Sequence, residues 1–168
     1  INFIGCSLLQ FLDVKDFFKK AITLIPNYFF EVPASSSGQF HSALECGFGG
    51  LVYHTRSVAK IANYLVNLKQ YKDKLNEVEK DCVICAALLH DVVEDCGVSV
   101  KDLPCNDRVK GIVLLLTYQK PEHYLEKDGE GNSINVYKEH YYNMISKDAD
   151  ASIVKILDRC NNVSSMAG

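Results

Sequence analysis

The chain has 168 residues, 48% hydrophobic and 23% charged, which is enough length and an ordinary balance for a globular protein with a substantial core. A net charge of -3 argues against a general nucleic-acid coat, yet leaves room for a local basic patch facing a small phosphate ligand. No apolar run approaches the roughly 18 residues of a membrane span, and the start Ile1-Asn2-Phe3-Ile4-Gly5 lacks both the basic opening of a signal peptide and an initiator Met, so the sequence reads as processed, trimmed or a fragment.

Taken in order, the chain reads mostly helical. Asp13 caps a helix from Val14 to about Ile25, with Phe17, Phe18, Ala21, Ile22 and Ile25 on its buried side, and Pro26 stops it. Tyr28 to Gly50 is a long loop rich in Ser and Gly, of the kind that is functional or disordered. Phe29, Phe30, Phe40 and Phe48 argue against disorder, because such aromatics need burial. His41 in this loop either lines a site or sits on the surface. A helix then runs from Leu51 to about Leu68, with His54, Val58, Ile61 and Leu65 on one face. A lone histidine on an apolar face is more often a hydrogen-bonded core residue than a ligand. A second histidine on a neighbouring buried face reverses that preference. Lys69 to Lys80 is a solvated turn and helix start.

The run Ala86-Ala87-Leu88-Leu89-His90-Asp91-Val92-Val93-Glu94-Asp95 passes abruptly from apolar to ionisable residues. If Val83 to Leu89 is helical, Val83, Ala86, Ala87 and His90 share its apolar face, and one more helical turn stacks Glu94 after His90 and Asp95 after Asp91. Three carboxylates and an imidazole at a buried helix end repel one another and resist desolvation. A divalent cation removes both difficulties. The plain alternative is an ordinary helix end with Glu94 and Asp95 in water. Cys82 and Cys85 form a CxxC inside this helix without a second such pair, and read as core thiols. The count of seven cysteines, odd and without framework spacing, fits a reducing compartment and hence the cytoplasm.

Cys96 to Ser99 is a turn and Ser99 to Leu103 a short helix ended by Pro104. Asp107 to Thr117 is a strong helix, Gln119 to Asn132 a polar surface loop, and Tyr137 to Ser146 and Ala149 to about Val163 are helices. In the last, Ala151, Val154 and Asp158 fall in register, so Asp158 is a further potential ligand on an apolar stripe. There is no Gly-rich phosphate loop and no GxSxG elbow.

The order His54, His90-Asp91, Asp158 resembles the HD-domain metal-dependent phosphohydrolases, helical proteins named for the paired His-Asp. The resemblance covers roughly Pro33 to Val163. It implies an all-α fold: a single HD-type helical bundle over residues 1–168, with roughly the first 30 residues as an N-terminal helix and loop. It also implies that His54, His90, Asp91 and Asp158 bind one divalent cation, manganese first, with magnesium, iron, cobalt, nickel or zinc as alternatives. The second half looks like the alarmone hydrolases, which remove pyrophosphate from guanosine tetra- and pentaphosphate. They carry His-Asp-x-x-Glu-Asp, as at His90 to Asp95, and a final Asp-Arg-x-x-Asn, as at Asp158 to Asn162. By that likeness Glu94 and Asp95 act on the water and Asn162 contacts the nucleotide. The first half departs from that group, because its basic Arg-Lys-Ser-Gly-Glu-Pro-Tyr approach is missing. Val32-Pro33-Ala34-Ser35 followed by Gly49-Gly50-Leu51-Val52-Tyr53-His54-Thr55 looks instead like HD hydrolases and exonucleases acting on other nucleotides or nucleic acids.

The ligand set leaves coordination positions open for water and a phosphoryl oxygen, with Glu94 or Asp95 to take the proton. Lys155 and Arg159 flank Asp158, Arg56 follows His54, and all three are candidate phosphate clamps, with a solvated surface role as the alternative for each. His123 and His140 are candidates for a second metal, though their polar surroundings favour one ion. The expected partner is a small phosphorylated nucleotide, without membrane and without extended nucleic acid. A nuclease or phosphodiesterase, and a silent nucleotide-binding regulatory domain, are the rival readings.

Overall fold

The computed structural model describes residues 23, 25–34, 41–72, 74–118, 125–127 and 133–166. The apolar stripe beginning at Leu51 becomes helix α1 (Gly50–Val66), and its buried side carries Leu51, His54, Val58, Ala62 and Val66. A short turn, α2 (Lys69–Lys72), leads to α3 (Glu77–Leu89). Asn76 starts α3 with a reciprocal cap: its Oδ1 accepts from the Glu79 amide at 3.0 Å, and Glu79 Oε2 accepts from the Asn76 amide at 2.8 Å. Helix α4 (Val92–Cys96) is a separate short element, and Gly97, at φ 65°, ends it in the left-handed region that only glycine enters freely.

Helix α5 (Asp107–Leu116) is capped by Asn106, whose Oδ1 accepts from the Val109 amide at 2.8 Å. Two short antiparallel strands follow, β1 (Leu125–Lys127) and β2 (Ser133–Asn135), with Glu126 opposite Ile134. Then come α6 (Val136–Ile145) and α7 (Ala149–Met166). Arg108 at the start of α5 reaches the start of α7, with bonds of 2.6 and 3.0 Å to Asp148 and of 2.6 and 3.1 Å to Asp150.

The architecture is all-α, with the hairpin as a small addition. Helix α1 packs on α3 and α7, α3 packs on α5 and α7, and α5 packs on α7. The core is therefore shared: Val58 and Ala62 of α1, Val83 and Ala86 of α3, Ile112 and Val113 of α5, and Val154 of α7 are all fully buried. Burying a Val or Ile side chain of this kind contributes roughly 1.5–3 kcal/mol. No helix among the described residues is long and apolar enough to cross a membrane.

Several expectations change. The helix through His90 does not run on to Asp95; it breaks at His90-Asp91 and restarts at Val92. The Gln119–Asn132 segment contains a paired strand and is not wholly a loop. Lys80, placed in a solvated stretch, is buried, with its ammonium 2.6 Å from Glu77 Oε1. Phe29 is buried as an aromatic should be, whereas Phe48 is 84% exposed; Phe40 and most of the Val14–Ile25 helix lie outside the described residues. Cys82 and Cys85 are buried in α3, and burial pushes the Cys85 thiol well above its ordinary range, as suits core thiols.

Candidate metal centre

Three helices bring the four expected ligands together. His54 comes from the second turn of α1, His90 and Asp91 from the break after α3, and Asp158 from α7. His54, His90 and Asp158 are buried, while Asp91 is half-buried at the mouth of a cavity. His54 Nε2 lies 3.4 Å from Asp91 Oδ2 and 3.3 Å from Asp158 Oδ1. His90 Nε2 lies 3.0 Å from Asp91 Oδ2 and 3.9 Å from Asp158 Oδ1. Donors about 2.0–2.3 Å from one cation stand roughly 3–4 Å from one another; His54, His90 and Asp158 offer atoms within 4.8 Å of one another, which suits a common ion, and Asp91 stands beside both histidines.

The histidine orientations favour the same reading. His90 Nδ1 sits 2.8 Å from the Ala87 carbonyl, which can only accept, so Nδ1 carries the proton. In a neutral ring that leaves Nε2 as a lone pair facing the carboxylates, the form that can bind a cation. Nε2 is buried and makes no hydrogen bond, an expensive state for a polar atom unless something else occupies it. Without a cation, the electrostatics instead hold a proton on His90 beside the carboxylates. Burial opposes ionisation of Asp158, but His54, Lys155 and His90 hold its carboxyl far below the usual carboxylate range. For His90, burial lowers the imidazole, yet Asp91 and Asp158 push it up to about 9.

This gives a pH prediction. The His90 imidazolium stabilises the metal-free fold fully below its ordinary value of 6.5, and that contribution fades as pH rises through about 9. A cation has to displace the same proton. Cation affinity should therefore climb with pH up to about 9 and then level off, while the metal-free protein becomes easier to unfold over the same interval. Manganese titrations and thermal melts in chelator would read the two trends. An affinity independent of pH in that interval would remove His90 from the ligand set.

Above the cluster lies a cavity of about 450 Å³ whose lining includes Asp91, Glu94 and Asp95 together with Lys138, Lys155 and Arg159. Glu94 Oε2 accepts from the Tyr118 amide at 2.9 Å, and desolvation raises its carboxyl. Desolvation, then Asp91 and Glu94, raise Asp95 to about 7. Lys155 Nζ is 3.0 Å from Asp158 Oδ2 and 5.8 Å from the centre of the Tyr141 ring. The Arg159 guanidinium donates to the Tyr142 hydroxyl at 3.2 Å. Asn162 Nδ2 donates to Asp158 Oδ1 at 3.1 Å, while its buried Oδ1 has no hydrogen-bond partner.

His41 lines the cavity, its ring edge against His54 with centroids 5.0 Å apart. Arg56, two residues beyond His54 on α1, falls on the exposed side, which is the solvated alternative, and is not among the residues lining the cavity. Of the two histidines weighed for a second ion, His140 is exposed on α6 and does not line the cavity, and His123 lies outside the described residues. Sequence reading missed Glu45, Asn161 and the tyrosine wall of Tyr118, Tyr141 and Tyr142. Asn161 had one available signal, its place between Asp158 and Asn162 on the same helix. A glutamate in a Ser- and Gly-rich loop had none.

The family model of the HD domain matches residues 51–163. No curated protein and no solved structure gives a match.

Proposed function

Because the chain belongs to the HD domain family, a superfamily of metal-dependent phosphohydrolases, we propose that its buried cluster is the active centre of such an enzyme and that the substrate is a nucleotide-type phosphate ester or pyrophosphate. The observation that carries this reading is the placement of the His54–His90–Asp158 cluster beneath a cavity lined by both Glu94 and Asp95 and by Lys138, Lys155 and Arg159. His54, His90, Asp91 and Asp158 would hold one divalent cation, manganese for preference, which when bound supplies Lewis-acid stabilisation of phosphoryl charge and makes water more acidic.

The chain's own groups do the rest. Asp95, with its carboxyl raised to about 7, is suited to take a proton from the attacking water. Glu94 is fixed by the Tyr118 amide and orients that water beside Asp95. The water oxygen bonds to phosphorus as the bond from phosphorus to the leaving oxygen breaks, and the proton held by Asp95 passes to the leaving group or to solvent. Lys155 and Arg159 hold the non-bridging oxygens. Asn162, which lines the cavity, would contact the nucleotide. The Tyr118–Tyr141 edge contact, with centroids 5.1 Å apart, offers an aromatic wall for a nucleobase.

Guanosine tetra- or pentaphosphate belongs to this class. Among the described residues, the loop side of the cavity contributes Ala34 and His41, and the class is therefore kept wider than the alarmone. The free cysteines among the described residues fit a reducing compartment such as the cytoplasm. A panel of nucleoside phosphates, guanosine tetraphosphate and a short oligonucleotide, each with manganese, magnesium or cobalt, tests the reading. Release of phosphate or pyrophosphate from a mononucleotide is expected. Cleavage of the oligonucleotide alone would make the protein a nuclease, and binding without any turnover would make it a regulatory domain.

A further inference from the structure

Glu45 is a carboxylate where the surroundings do not invite one. It sits in the loop before α1 and is only 4% exposed. The loop is built to bring it there. The Ala34 amide donates to the Glu45 carbonyl at 2.8 Å, and a Cβ on Gly50 would lie 1.9 Å from that carbonyl oxygen, so glycine alone lets the loop close on the start of α1. The side chain then reaches two histidines. Oε1 is 3.6 Å from His54 Nδ1, and Oε2 is 3.5 Å from His41 Nδ1. The Ser42 amide donates to Oε2 at 3.2 Å, and the Asn161 amide donates to Oε1 at 2.9 Å.

We propose that Glu45 is a positioning residue of the metal centre: its buried carboxylate receives the Nδ1 proton of His54 in a hydrogen bond, which turns His54 Nε2, as a lone pair, toward the cation. This rests on the metal-centre reading given above. A neutral imidazole carries one proton, so Nε2 can bind a cation only if that proton resides on Nδ1. Near His54 Nδ1 the structure offers Oε1 of Glu45 and the amide of Asn161, whose Nδ2 lies 3.1 Å away. The Asn161 amide cannot serve as the acceptor without turning its oxygen against the Glu45 carboxylate. Glu45 thus fixes the amide with its NH2 toward Oε1 and is itself the acceptor for His54. In the metal-free arrangement the Asn161 NH2 spans both groups and His54 Nε2 donates toward Asp158. Loading the centre would move the His54 proton to Nδ1, turn the Asn161 NH2 off that nitrogen onto Glu45 alone, and close the 3.6 Å gap between Nδ1 and Oε1 into a hydrogen bond.

His41, Glu45 and His54 are also close enough to suggest a second cation of their own. That alternative is weaker, because His54 would have to give both ring nitrogens to metal as a fully deprotonated imidazolate. The Asn161 NH2 group also occupies the space between Glu45 and His54 where such an ion would lie.

The test is a titration of the metal-free wild type, Glu45→Gln and Glu45→Asp proteins with manganese alone, with unfolding measured in chelator. One ion per chain is expected in all three. Affinity in Glu45→Gln should fall about 10–100-fold, the usual loss when the partner behind a ligating histidine is removed. Glu45→Asp, which keeps the charge, should recover part of it, and unfolding in chelator should be nearly unchanged in both. Long-range proton–nitrogen NMR on the magnesium-loaded wild type should find the His54 proton on Nδ1, shifted by a strong hydrogen bond. This measurement decides the matter even if a variant does not fold. Unchanged affinity in Glu45→Gln overturns the role of Glu45 while leaving the metal centre standing. So does loss of a second equivalent of manganese, or a loaded His54 whose proton is on Nε2. A wild type that binds no manganese would overturn the metal centre and this role together.

Discussion

Asp91→Ala should abolish binding of the divalent cation and remove the protection that the cation gives against unfolding. Asp91 Oδ2 is the oxygen nearest to His90 Nε2, at 3.0 Å, and it also lies 3.4 Å from His54 Nε2, so it touches both imidazoles of the cluster. Its carboxyl is held below the usual range: burial opposes the charge, but the His90 imidazole beside it prevails. Without it the remaining donors are two neutral nitrogens and one carboxylate, Asp158, which Lys155 already partly neutralises from 3.0 Å. A ligand at one hundred times its dissociation constant stabilises a fold by about 2.7 kcal/mol. Wild-type protein should show that gain in thermal melts as manganese is added, and Asp91→Ala should show none. In chelator the two should differ less, because the variant also relieves the repulsion that Asp91 exerts on Asp95. A variant that takes up manganese at full occupancy would remove Asp91 from the ligand set.

Asp95→Asn should lower turnover by about 10²–10⁴-fold, the loss expected when a general base is removed. Metal content should hardly change, since neither Asp95 nor Glu94 is expected to coordinate the ion. Glu94→Gln should also slow the reaction, because the amide keeps the size but not the charge of the group that the Tyr118 amide holds. Nucleotide affinity should persist in both variants, or rise slightly as repulsion between carboxylate and phosphate is relieved. Desolvation raises the Asp95 carboxyl, which adds a pH signature: the wild-type rate should rise as that group loses its proton, and Asp95→Asn should lose this limb of the profile. Parent protein that hydrolyses a nucleotide, with both variants equally fast, would show that the pair has no part in the chemistry. His41, which lines the same cavity, would be the next group to replace.

Much of this centre was legible in the sequence because helical spacing is a local property. A histidine in register with Val58 on α1, and an aspartate in register with Val154 on α7, have to share their helix's apolar side, and that side has to be buried. The abrupt charge after Leu89 marked the end of the helix that lies between them. Local reading also carried errors of its own kind. It continued the helix through His90 and Asp91, where the chain instead turns and starts α4. It also grouped Arg56 with His54 by proximity in the chain, although two residues along a helix lead to a different side.

What the sequence by itself determined was therefore the helices, their buried faces and the order of four potential ligands. Only the tertiary structure decided what stands behind and around them. Glu45 lies far from Asn161 in the chain, yet Asn161 Nδ2 donates to its carboxylate at 2.9 Å. The Tyr118–Tyr141 wall and the Arg108 bridge to Asp148 and Asp150 likewise join separate elements. Periodicity along one helix is set by backbone geometry and can be read from neighbouring residues. Contacts between a loop and a distant helix depend on how α1, α3 and α7 pack, and that packing is a sum over side chains from every part of the core.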